Sequence, residues 1–553
     1  MNKLRLVISA KNIKSGFISL AIGISSILLP VSVMAAERIA FSFPPLGQFK
    51  IKVADLEALT TEGEVSPELA YYLDRLPPEQ QAKLPELLST PLELNPLTIT
   101  KFSNSSIGEA VIKNFGKGIR VNPQLNGFYA LRSAIIAAAF DEEGLTMMNL
   151  LHRFPAETIH LDLQVLTQYI KQGTVLSENR EAIAKTWFED EPQNYALKNN
   201  AASNQQPQPS NLEVLGTYQW QKETLRYRNP RRVKPGYFDL YQPKTNQTVP
   251  LIVISHGLAS NRQTFAYLGR HLASHGFAVA VVEHNDISLE KFDRFLSGTT
   301  KFPEPNNLIE QPLDIKYVID RLEQNSAIDT QQVGILGQSF GGYTSLAVAG
   351  GELIADAAAT DCEAENYHEV FLDLSSLAKC TFNRLNIPRI KLRDPRIKAV
   401  VAINPMSKIF GRAGMSSIEV PTMIISGTND LIMPPVAEQI KPFSWLDEDL
   451  AKYLVLVQPG THFSFLQEGL GVLPVPDAVV GPSPTSAHPI LKQISTAFFQ
   501  AHLNQQLEYQ AYLQNDRLPG DFKLETNQDL KNAFELSIIR SLTQSQLQDM
   551  IVP

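Results

Sequence analysis

The spacing of apolar positions changes character along this chain. From about residue 37 to 172 they recur at helical intervals. Ser66-Pro67-Glu68 carries the capping serine and first-turn proline of a helix start. Residues 135–140 are apolar enough for a buried helix, and Leu161, Leu163, Val165, Leu166, Tyr169 and Ile170 form a further stripe. This predicts a small, mainly helical domain over residues 36–175, in which no nucleophile, base and acid cluster together. A polar, breaker-rich run at 199–210 then predicts a linker spanning 176–213. Beyond it, short apolar runs at 251–255, 277–282, 333–336, 398–403, 422–426 and 453–457 alternate with helix-like stretches such as 263–274, 313–324 and 343–349. That alternation predicts an α/β domain over 214–510, a mostly parallel sheet with helices on both faces. Residues 216–243 supply leading antiparallel strands, and a helical pattern at 530–542 predicts a C-terminal helical tail over 511–553. Ligands of such sheets bind at the carboxyl ends of the strands.

Composition narrows the partners. With 553 residues the chain has room for two to four domains of about 150 residues each. Its net charge of −8 is spread without acidic or basic blocks, which excludes nucleic acid as the main partner. Lys3, Arg5, Lys11 and Lys14 precede an apolar run at 16–33, and Val33-Met34-Ala35-Ala36 follows with small residues. This is the order of a secretory signal peptide over residues 1–35, implying a periplasmic or secreted protein. An uncleaved anchor is the alternative; Ser25, Ser26 and Pro30 interrupt the run and favour cleavage. The two cysteines, Cys362 and Cys380, could form one disulfide in an oxidising compartment or remain buried thiols. Without a nearby pair of histidines they make no zinc site, and neither metal nor cofactor is expected.

The chemistry concentrates where strands end. Residues 333–336 run into Gly337-Gln338-Ser339-Phe340-Gly341, a Gly-x-Ser-x-Gly turn from strand to helix. Small residues two positions either side of the serine are needed there, because Cβ atoms would clash. Ser339 at the head of the next helix would be a nucleophile, given a base to take its proton. The run 422–426 ends in Gly427-Thr428-Asn429-Asp430, and 453–457 is followed by Gln458-Pro459-Gly460-Thr461-His462. The order Ser, Asp, His makes His462 the candidate base and Asp430 the candidate acid. Oxyanion donors are expected from the backbone N–H of Phe340 and, after the run 251–255, of Leu258. His256 reads as structural, since His462 already fills the base position.

Ser255-His256-Gly257-Leu258-Ala259-Ser260, Leu272-Ala273-Ser274-His275-Gly276-Phe277, Val282-Glu283-His284-Asn285-Asp286 and Gly337-Gln338-Ser339-Phe340-Gly341-Gly342 resemble the plasma-type platelet-activating-factor acetylhydrolases over roughly residues 230 to 470. The resemblance implies an α/β-hydrolase fold and a calcium-independent serine esterase using Ser339, His462, Leu258 and Phe340. The sequence departs from that family at the acid. The strand after the nucleophile helix ends in Ile403-Asn404-Pro405 without a carboxylate, and Asp430 stands one strand later, its usual place in the wider superfamily. The overall layout also resembles uncharacterised cyanobacterial dienelactone-hydrolase-like proteins, although true dienelactone hydrolases use a cysteine where Ser339 stands.

Three insertions interrupt the strand-end edge, at 287–311, 351–395 and 463–484. Their apolar residues, among them Phe292, Phe295, Phe302, Leu466 and Leu470, either line a pocket for an acyl chain or aromatic ester or pack the insertions onto the body. The leading expectation is an exported hydrolase of lipid or small apolar esters, for which transient contact with a membrane surface would suit the substrate. An acyltransferase on the same residues and a non-catalytic scaffold are the alternatives. Oligomeric state is not legible.

Overall fold

The computed structural model describes residues 35–43, 47–92, 95–189, 212–301, 303–304, 306–353, 375, 378, 391–467, 480–514 and 534–550. The expected signal sequence up to residue 34, the 199–210 run, Phe302, Leu470, Cys362 and Cys380 lie outside the described residues. Contacts divide the chain into two units, Met1–Glu93 with Phe115–Leu163, and Leu94–Asn114 with Gln164–Pro553.

The first unit holds the expected helices, including Pro67–Leu73, where the Ser66 side chain accepts the Leu69 N–H. It also holds a four-stranded sheet in the order β2-β1-β4-β3, formed by β1 (Arg38–Phe43), β2 (Gly47–Lys52), β3 (Ile119–Arg120) and β4 (Thr158–Leu161). Arg-Ile-Ala-Phe-Ser-Phe and Gly-Gln-Phe-Lys-Ile-Lys alternate with period two, a strand signal short enough to be overlooked between helical stretches. Phe41 and Phe49 stack across the hairpin with ring centroids 5.7 Å apart.

The second unit is built on nine strands in the order β13-β12-β11-β10-β9-β7-β8-β6-β5. They are β5 (Trp220–Tyr227), β6 (Gly236–Pro243), β7 (Val249–Ser255), β8 (Ala278–Glu283), β9 (Ile328–Gln338), β10 (Ile397–Ile403), β11 (Thr422–Gly427), β12 (Lys452–Gln458) and β13 (Glu535–Ile539). The leading pair β5–β6 is antiparallel, and β8 and β7 through β12 run parallel. Helices cover both faces. Leu251 and Val253 pack into one core, and Ile252 and Ile254 into the other. Burial on both sides explains why these strands read as continuous apolar runs.

Two expectations are corrected. The presumed linker begins too early, because a helix runs through Leu163–Ala184 and a further helical turn through Lys185–Glu189, with Ile183 and Trp187 packed into the sheet's core. The tail is not wholly helical. Residues 535–539 form β13, antiparallel to β12, with Leu454 opposite Ile539 and Gln458 opposite Glu535. Phe534, Leu536 and Ile538 pack on one face and Ile539 on the other, a period of two that becomes visible only once β12 offers an edge. A helix follows at Gln544–Met550.

Candidate active site

Strand order fixes where chemistry can happen. From β7 the chain moves outward to β8, then crosses back to β9 on the other side of β7. The carboxyl ends of β7 and β9 therefore flank a topological switch point, where a crevice opens. The loop beginning at His256 leaves β7 there, and Ser339 leaves β9.

Ser339 occupies φ 56°, ψ −118°, a strained conformation held by the turn between β9 and the helix Phe340–Ala349. Its N–H donates to Ile403 O at 2.8 Å, and its carbonyl accepts from Tyr343 N–H at 3.0 Å. The flanking glycines leave no room for side chains. A Cβ on Gly337 would lie 2.1 Å from Gly341 O, and one on Gly341 would lie 2.1 Å from Ser255 O.

The loops after β11 and β12 bring two more side chains to this turn. Ser339 Oγ lies 2.9 Å from His462 Nε2, and His462 Nδ1 lies 2.7 Å from Asp430 Oδ2. Asp430 Oδ1 accepts the backbone N–H groups of Ile432 and Met433 at 2.8 and 2.7 Å. Both carboxylate oxygens are thereby occupied, and the Nδ1–H tautomer of His462 is the one that satisfies both neighbours. Asp430 and His462 are buried, while Ser339 keeps 8% of its surface exposed.

Leu258 lies in the loop after β7, and Phe340 opens the helix that follows Ser339. A Cβ on Gly257 would be 3.0 Å from Ser339 Cβ, so the loop after β7 runs against the nucleophile turn. His256 orients that loop. Its Nε2 accepts the His284 N–H at 3.0 Å, so Nδ1 carries the proton and donates to Gly257 O at 2.8 Å. Because the Gly257–Leu258 peptide is trans, gripping its carbonyl turns the Leu258 N–H to the opposite side. No backbone acceptor among the described residues takes that N–H.

Sequence reasoning missed the supports behind this arrangement. Gln338 donates from Nε2 to His462 O at 3.1 Å. Asn404, with φ 42°, donates to Thr461 O at 3.0 Å and accepts the Gly427 N–H at 2.8 Å, tying the ends of β10, β11 and β12 together. Deeper, Asp314 is fully buried and accepts from Arg232 through two nitrogens, from Asn229 at 2.8 Å and from His284 Nδ1 at 3.2 Å. Burial would raise the Asp314 carboxyl, but His284 and Arg232 outweigh it and hold it below the usual carboxylate range. His284 in turn meets Ser255 Oγ at 2.9 Å, and burial pushes its imidazole down to about 4. A motif does not mark these residues, because partners 23 to 124 positions apart meet only in the folded sheet.

A parallel sheet crossed at β7/β9, a serine at a positive-φ turn after β9, and aspartate and histidine after β11 and β12 define one architecture. The chain has the α/β-hydrolase fold. Three family descriptions match this chain in succession. Residues 35–162 match an alpha/beta hydrolase family of unknown function, 213–301 match platelet-activating factor acetylhydrolase, isoform II, and 310–469 match the prolyl oligopeptidase family. Cutinase 1 of Thermobifida cellulosilytica is 25% identical across 41% of this chain and 64% of its own. The cutinase of Thermobifida fusca strain YX is 25% identical across 41% of this chain and 56% of its own. Platelet-activating factor acetylhydrolase of Bos taurus is 29% identical across 18% of this chain and 32% of its own. The chain thus spans less than two thirds of the length of these relatives.

Proposed function

We propose that this α/β hydrolase cleaves carboxylic esters through an acyl-enzyme on Ser339. The observation that carries the reading is the unbroken hydrogen-bonded chain from Ser339 Oγ through His462 to Asp430. In the first half-reaction His462 Nε2 takes the Ser339 proton as Oγ attacks the ester carbonyl. The resulting oxyanion would be met by the N–H groups of Leu258 and Phe340, each worth about 3 kcal/mol of transition-state stabilisation. Collapse expels the alcohol, which leaves with the proton held by His462. Water then repeats the sequence: His462 removes its proton, hydroxide adds to the acyl carbonyl, and Ser339 leaves reprotonated with release of the acid. Asp430 holds the imidazole tautomer and stabilises the imidazolium in both halves.

Cutinases and platelet-activating factor acetylhydrolases among the relatives favour an ester with an apolar acyl or alcohol part. The charged n-region, apolar run and small-residue exit at residues 1–35 support export, with a Cys362–Cys380 disulfide in the mature protein. The decisive experiment treats the purified protein with a fluorophosphonate probe and a p-nitrophenyl ester series, beside Ser339→Ala. Labelling and hydrolysis that vanish in Ser339→Ala are expected. A wild type that neither labels nor hydrolyses any ester overturns the reading, and mass spectrometry of the exported chain tests the cleavage and the disulfide.

A further inference from the structure

Residues Leu94–Asn114 come from the N-terminal region yet belong with the sheet-bearing unit. Their helix Pro96–Ser103 starts on Asn95, whose side chain accepts the Leu97 N–H at 2.8 Å, with Pro96 in the first turn. This helix lies against the helix Leu289–Leu296. Thr98 Oγ1 donates to Leu296 O, and Gly298, at φ +70°, comes so near that a Cβ would stand 2.7 Å from Leu97 Cβ. Phe102, Leu258 and Leu296 pack around the buried Ala259, Phe292 and Phe295. The Leu289–Leu296 helix presents Phe292, Phe295 and Leu296 at helical spacing, with Glu290 and Lys291 before them and Asp293 and Arg294 between them. It is tied to the loop after β7, since Ala259 N–H donates to Ile287 O at 2.9 Å and Leu289 N–H to Ser260 O at 2.7 Å. An apolar wall drawn from two distant parts of the chain therefore adjoins the residue next to Gly257, which itself touches the nucleophile turn.

Which part of a substrate this wall meets follows from strand order and proton transfer. The leaving alcohol must face His462, because that residue protonates it. His462 and Asp430 stand after β12 and β11, on one side of β9, whereas the loop after β7 stands on the other. With the leaving oxygen turned toward β12, the acyl group extends toward β7. We propose that the helix Pro96–Ser103 completes an acyl-chain site with the helix Leu289–Leu296, and that Phe102 sets the acyl length accepted. The substrate class is then an ester with an apolar acyl chain of several carbons.

This inference rests on the acyl-enzyme reading, and the experiment separates the two. Kinetics of wild type, Phe102→Ala, Phe102→Leu and Phe102→Trp are measured on p-nitrophenyl esters from two to twelve acyl carbons, with thermal melts to establish folding. For Phe102→Ala the optimum should move to chains about two to four carbons longer, and the long-to-short ratio of kcat/KM should rise about tenfold, about the range set by a few methylenes. Phe102→Trp should move it the other way and Phe102→Leu should stay near wild type. If folded Ala and Trp variants keep the wild-type acyl profile, or lose activity equally on every ester, the acyl-site assignment falls. An inert wild type instead removes the ester-hydrolase reading itself.

Discussion

Asp430 receives His462 Nδ1 at 2.7 Å on one oxygen while its other oxygen is held by two backbone N–H groups. The carboxylate cannot rotate without breaking three hydrogen bonds. Asp430→Asn would favour the opposite imidazole tautomer and leave Nε2 unable to accept from Ser339. The expected result is a loss of roughly 10³–10⁴ in kcat with little change in KM, an amount known for the equivalent change in a serine-protease triad. Steady-state kinetics on one ester, with a melt to show the variant is folded, check it.

Asn404 gives a complementary test, since a related family keeps its acid at this strand end. Here the side chain donates to Thr461 O while accepting the Gly427 N–H, a pairing that an amide makes and an ionised carboxylate cannot. Asn404→Asp should set a carboxylate oxygen against the Thr461 carbonyl and destabilise by about 1–3 kcal/mol. The double variant Asn404→Asp, Asp430→Asn should regain no activity. Recovery above the level of Asp430→Asn would show that β10 can still supply the acid.

Asp314 neutralises Arg232 where both are buried. Asp314→Asn should lower stability by about 3 kcal/mol, because it leaves the buried Arg232 guanidinium with only the exposed Asp286 as counter-charge. The exposed pair Lys83–Glu79 makes the control, and its removal should change stability by less than about 1 kcal/mol. Urea denaturation of both variants reads the difference.

Acid sensitivity should come from histidines buried in the neutral form. Burial, reinforced by His275 with its ring centroid 4.6 Å away, lowers His271 to about 3, and burial lowers His284, His488 and His502 to about 4. In the unfolded chain each titrates near 6.5, so between these values the unfolded state binds more protons and stability rises with pH. The contribution is complete above about 6.5 and is lost as pH falls toward 4. At pH 5, His271 alone accounts for roughly 2 kcal/mol. His271→Leu should therefore shrink the drop in melting temperature between pH 7.5 and pH 5; an unchanged drop would remove His271 from the account.

The legible parts of this molecule are those set by local pattern. Continuous apolar runs gave the six central strands within one to five residues of their ends, because β7 through β12 are buried on both faces. The turn around Ser339 was legible for a steric reason, two glycines with no space for a Cβ. What stayed hidden depends on partners far away in sequence. Residues 535–539 are a strand only because β12 is there to pair with, and the Pro96–Ser103 helix gives no sign in its own residues that it belongs with the sheet. Nor did any spacing announce that His256 grips its neighbour's carbonyl.

The sheet-bearing unit takes one of its helices from residues 96–103 and its last strand from residues 535–539. Ribosomes deliver these pieces more than 400 residues apart, so the earliest must wait until the latest emerges before the sheet edge beside the His462 strand is closed. Until then β12 keeps an unpaired edge, so the sheet-bearing unit cannot finish assembling while its final residues are still being made.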